Sequence, residues 1–81
     1  MRVKARLFAV YRELVGKAEI EMDVDTGNTV GIFLSQLGEV LPELKGHLGS
    51  ALIAVNAEYV PMNYQLAEGD EIALIPPVSG G

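Results

Sequence analysis

A two-layer α+β domain, with one main helix packed on one face of a mixed sheet, follows from three features of the sequence. Residues 3–8 and 19–24 alternate apolar and polar side chains, residues 30–41 repeat apolar side chains at helical spacing, and residues 71–75 form an apolar run of strand character. One helix can bury only one face of a sheet, so the other face is expected to stay open.

In residues 3–8, Val3, Ala5 and Leu7 fall on one side and Lys4, Arg6 and Phe8 on the other, the two-residue period of a strand. The register then changes. Tyr11 and Leu14 are spaced for a short helical turn across 9–15, and Gly16 can end it. Residues 19–24 alternate most cleanly, with Ile20, Met22 and Val24 opposed to Glu19, Glu21 and Asp23. Antiparallel pairing with the first strand sets these acids opposite Lys4 and Arg6. Asp25-Thr26-Gly27-Asn28 reads as a turn, and Thr29 as the N-cap of the next element. Val30, Phe33, Leu34, Leu37, Val40 and Leu41 predict one helix over 30–41, in which Gly31 and Gly38 each cost up to ~1 kcal/mol.

Residues 42–50 read as a Gly-rich loop whose Leu44 and Leu48 can pin to the core. Residues 52–56 are a compact apolar strand, and Tyr59-Val60 a short edge segment before Pro61. Glu68-Gly69-Asp70 is a tight turn, its carboxylates and that of Glu71 expected in solvent. The last strand, 71–75, is apolar enough to lie centrally beside the first. Pro76-Pro77-Val78-Ser79-Gly80-Gly81 can neither extend a sheet nor start a helix. The chain therefore divides into a folded unit over 1–75 and an extended tail over 76–81.

Composition narrows the function. A domain of 81 residues has a thin core and little interior for a deep substrate pocket, which favours a carrier or binding module over a self-sufficient enzyme. A net charge of −5 disfavours nucleic acid, and the few scattered Lys and Arg residues disfavour an anionic membrane. No apolar run approaches the ~20 residues needed to span a bilayer, and Met1-Arg2-Val3 leads straight into a strand pattern, so a cytoplasmic location is expected. The absence of cysteine excludes disulfides, thiolate metal sites and cysteine nucleophiles. His47, the one histidine, falls in a Gly-flanked loop and reads as solvated. Asp23, Asp25 and Asn28 imitate part of a calcium loop but lack its later bidentate Glu. Ser35, Ser50 and Ser79 have no triad companions, and Gly46 and Gly49 make no phosphate loop. Neither a metal site, a bound cofactor nor an internal catalytic constellation is expected.

The tail has its own physical reading. Six extended residues reach up to ~20 Å. Its prolines stiffen the exit, and Gly80 and Gly81 offer no side chain to obstruct a narrow pocket. A terminal glycine carboxylate is unhindered but ionised, with a pKa of about 3.5, and so needs activation before it can react. A frayed, inert end is the alternative for these glycines taken alone.

Four segments carry a resemblance that covers essentially the whole chain. They are Arg6-Leu7-Phe8-Ala9 with Arg12-Glu13-Leu14 and Gly16, then Thr29-Val30 with the leucines behind it, then Ala54-Val55-Asn56, and finally Gly69-Asp70-Glu71 running on to Pro76-Pro77-Val78-Ser79-Gly80-Gly81. Together they resemble the ubiquitin-like β-grasp superfamily and, within it, the sulfur-carrying small subunits of molybdopterin synthases. The sequence departs from that family at Gly31, where a better helix former is usual. The resemblance implies that an E1-like enzyme adenylates Gly81 with ATP and that sulfur transfer then leaves a C-terminal thiocarboxylate. The tail would next insert into the synthase large subunit and give its sulfur to a cyclic pyranopterin precursor. The large subunit would supply the catalytic Lys and Arg residues, in a heterotetramer centred on a large-subunit dimer.

Partners must also grip the domain. Alternation sets Phe8 on the open face with Lys4 and Arg6, Ile75 shares that face with Ala73, and Tyr59 is a third candidate. The resemblance places partner contacts at these three positions, with Arg12 as a rim ion pair and Pro76, Pro77, Val78 and Ser79 in the inserted tail. Burial of Phe8 and Ile75 in an ordinary core is the competing expectation. Other functions open to the same fold are a thiamin thiazole sulfur carrier, usually shorter and without Pro-Pro-Val, and a protein modifier joined through Gly81 to a lysine. An interaction module with an inert tail is a further class.

Overall fold

The computed structural model describes residues 1–77; Val78, Ser79, Gly80 and Gly81 lie outside the described residues. Strand β1 (Arg2–Leu7) turns Val3, Ala5 and Leu7 inward, as their alternation requires. Helix α1 (Val10–Val15) buries Tyr11 and stops at Gly16, whose φ of 82° closes the turn by a bond from its N–H to the Arg12 carbonyl. Burial pushes the Tyr11 phenol up from its ordinary pKa, and its Oη donates to the His47 carbonyl at 3.5 Å. Strand β2 (Glu19–Asp23) runs antiparallel to β1 in the expected register, with Arg2 opposite Asp23, Lys4 opposite Glu21 and Arg6 opposite Glu19.

Helix α2 (Val30–Val40) presents Val30, Phe33, Leu34 and Leu37 to the interior. Three of its N-terminal donors are met: Thr29 Oγ1 accepts from Ile32 N, while Val30 N and Gly31 N bond the carbonyls of Tyr64 and Met62. The helix ends one residue short of Leu41, which caps it instead. The stretch expected as loop holds two 3₁₀ turns, Pro42–Leu44 and Leu48–Ser50. They drive Leu44 and Leu48 into the core, so the leucines decide the local winding.

Strands β3 (Leu52–Val55), β4 (Glu58–Tyr59) and β5 (Glu71–Ile75) complete a five-stranded sheet of order β2-β1-β5-β3-β4. β5 pairs parallel with β1 and antiparallel with β3, so first and last strands meet centrally. Ile53, Val55, Ile72 and Leu74 join Phe33 and Leu37 in one core cluster between sheet and helix. No helix among the described residues is long and apolar enough to cross a membrane.

The turn before β5 corrects the sequence reading. Asp70 is 7% exposed, not solvated, accepting from Asn56 Nδ2 at 3.0 Å and from Ala67 N at 2.8 Å. Glu68 accepts from the Arg2 N–H, and Glu71 is half-buried with its N–H bonded to Asn56 Oδ1. A chain segment that must enter a central strand needs its turn donors satisfied, and Asp70 does this. Asp70→Ala leaves two of these donors without a partner and is expected to cost about 1–3 kcal/mol in urea denaturation. A loss within about 0.5 kcal/mol, the range of ordinary surface changes, would show the network to be dispensable.

Candidate functional site

The open face of the sheet divides into two halves. On β2 and β1 it is charged: Arg2 pairs with Asp23 at 3.0 Å and Glu21 at 3.6 Å, and Lys4 with Glu19 at 3.6 Å. Arg6 reaches Glu71 at 3.1 Å and Glu19 at 3.9 Å. The Asp23 carboxylate, by hydrogen bond and charge, raises the guanidinium pKa of Arg2. Exposed pairs of this kind contribute little each and set the face's polarity more than its stability.

On β5, β3 and β4 the same face is apolar. Phe8 is 41% exposed and Tyr59 70%, while Ile75 is half-buried. The Arg6 guanidinium carbon stands 5.7 Å from the centroid of the Phe8 ring, so cation and ring mark the border between the two halves. A shallow concavity of about 270 Å³ is lined by Phe8, Tyr59 and Ile75 with Ala54, Ala57 and Ala73, and by the Arg6–Glu71 pair. The fold thus gathers the three sequence-predicted aromatic and aliphatic residues from separate strands and the β1–α1 junction. Phe8 lies outside the core cluster, against the competing expectation of burial.

Not every predicted residue is brought here. Arg12 is exposed on α1 and does not line the concavity. Pro76, half-buried, and Pro77, exposed, follow β5 directly. Val78, Ser79, Gly80 and Gly81 lie outside the described residues. Leu52, 40% exposed and paired with Ile75, shares the apolar half and was missed, as were Ala54 and Ala57. Leu52 was legible only through its register with Ile75, and the small alanines carry no hydrophobic signal of their own.

A larger concavity of about 340 Å³ lies on the helical layer between α2, Lys45, Leu48–Gly49 and Met62. It contains none of the sequence-predicted residues. Among the described residues there is no group of three or more His, Cys, Asp or Glu placed to hold a metal ion.

The chain matches the ThiS family over residues 5–81. It is 36% identical over 83 residues to the molybdopterin synthase sulfur carrier subunit of Chlamydomonas reinhardtii, covering 100% of both chains. Among solved structures it is similar to SAMP1, a small archaeal modifier protein of Haloferax volcanii, with a TM-score of 0.90 at 32% identity and full coverage of both chains. It is also similar to a chain in the complex of subunits 1 and 2 of the molybdopterin-converting factor of Helicobacter pylori, with a TM-score of 0.71, 29% identity and full coverage of both.

Proposed function

The chain belongs to the ThiS family, and on that premise we propose that it is the sulfur carrier and small subunit of a molybdopterin synthase. The observation that carries the reading is that the family match and the full-length likeness to a sulfur carrier subunit both run through the terminal Gly80-Gly81. The chain acts as a covalent co-substrate. In the cytoplasm an E1-like enzyme joins the Gly81 carboxylate to the adenylyl group of ATP, releasing pyrophosphate. A sulfur nucleophile then displaces AMP, and Gly81 ends as a thiocarboxylate. The chain holds no cofactor of its own, and ATP belongs to the activating enzyme.

The large subunit grips the apolar half of the open face, contacting Phe8, Tyr59 and Ile75, with Arg12 at the rim. Pro76, Pro77, Val78 and Ser79 lead Gly80 and Gly81 into its active site. There the thiocarboxylate sulfur passes to a cyclic pyranopterin precursor, and water restores the carboxylate. Two deliveries make the dithiolene. The H. pylori complex of subunits 1 and 2 supports such a pairing, and the heterotetramer follows from a large-subunit dimer.

The test is intact mass after incubation with a cognate activating enzyme, ATP and a sulfur source, then with large subunit and precursor. The expected result is replacement of one C-terminal oxygen by sulfur, reversed as dithiolene product forms. A thiocarboxylate that leaves the pterin untouched moves the chain to another sulfur pathway. The likeness to SAMP1 favours a second reading, in which Gly81 forms an isopeptide bond with a lysine. High-mass conjugates on immunoblots, lost when Gly81 is deleted, are its signature.

A further inference from the structure

Three non-glycine residues among those described have positive φ: Ala9 at 50°, Asn56 at 50° and Ala57 at 72°. Asn56 has an internal reason, since its side chain bonds Asp70 and the Glu71 N–H. The two alanines have none. Ala9, with ψ at −122°, is the second residue of a turn closed by the Tyr11 N–H on the Phe8 carbonyl, a position suited to glycine. Ala57 is the second residue of the two-residue turn between the paired Val55 and Glu58, again a glycine position. Each methyl group strains the backbone, yet both residues are exposed and neither belongs to the core cluster. Inside this chain, glycine would serve better at both places.

Ala57 lines the concavity that Phe8, Tyr59 and Ile75 share, and Ala9 directly follows Phe8, one of its lining residues, in the chain. We infer that Ala9 and Ala57 are partner-contact residues, whose methyl groups extend the apolar half of the open face and are buried by the large subunit. The inference rests on the docking described under the proposed function. Contact in the complex offsets a strain that the isolated chain leaves uncompensated, which is why stability and binding pull in opposite directions at these two residues.

The experiment measures melting temperature and calorimetric affinity for the purified large subunit with Ala9→Gly, Ala57→Gly, the double variant and Phe8→Ala. Each glycine variant is expected to melt higher by roughly 4–8 °C, after allowing for the extra freedom glycine gives the unfolded chain. Each is expected to bind about fourfold more weakly, the worth of one buried carbon, and the double variant about fifteenfold. Ala9→Ser, which keeps the Cβ atom, retains most of the affinity. Higher melting with unchanged or tighter binding overturns the inference, and so does lower melting, because the methyl groups would then belong to the fold. If Phe8→Ala also binds like the unaltered chain, the docking face itself is wrong and the inference fails with it. If Phe8→Ala weakens binding and the glycine variants do not, only the inference fails.

Discussion

A chain lacking Gly81 is expected to lose sulfur transfer completely while melting at the same temperature as the full chain. The two readouts separate because they draw on different parts of the molecule. Among the described residues the core cluster takes none beyond Leu74, and a glycine has no side chain to contribute to a core. The reactive carboxylate would instead sit on Gly80, shortened by one residue, roughly 3.3–3.6 Å of extended reach. Misplacing a reacting atom by even about 1 Å can cost on the order of 100-fold in rate, so a full residue abolishes turnover. Intact mass after incubation with activating enzyme, ATP and a sulfur source, followed by assay of the pterin product, reads the effect. A shortened chain that still delivers sulfur would remove Gly81 from the mechanism.

Phe8→Ala is expected to weaken binding to the large subunit by about 3- to 8-fold. Fully burying an exposed Phe side chain contributes about 1.5–3 kcal/mol, only the exposed share of this one remains to be buried, and every 1.4 kcal/mol is tenfold in affinity. In the free domain the ring is 41% exposed and outside the core cluster, so its removal opens no interior cavity. The melting temperature should fall by only a few degrees, mainly through loss of the Arg6 contact at 5.7 Å. Calorimetric titration and thermal denaturation of the same preparation decide it. A large fall in stability with unchanged affinity would return Phe8 to a structural role.

Much of the fold was legible because its signals are local. The alternation in β1 and β2 assigned Val3, Ala5 and Leu7 inward and the charged residues outward, and the structure sets Glu21 opposite Lys4 and Glu19 opposite Arg6. Thr29 capped α2 as its side chain and position required. Asp70 was misread because an acidic residue in a Glu-Gly-Asp turn looks solvated until its donors, Asn56 and Ala67, are known. The β3–β4 hairpin was read only as an edge segment, since its turn holds Asn56-Ala57 where Asn-Gly would have announced it. The two 3₁₀ turns left no periodic trace, being three residues each.

For the candidate site, the sequence by itself determined the side on which Phe8 and Ile75 face. Side-chain alternation along a strand depends only on neighbouring residues. What only the tertiary structure decided is which of those residues meet. Phe8, Tyr59 and Ile75 share one concavity because β5 inserts between β1 and β3, pairing parallel with one and antiparallel with the other. That arrangement comes from burying Ile72 and Leu74 between neighbours far away in sequence, a long-range packing choice that no local pattern encodes.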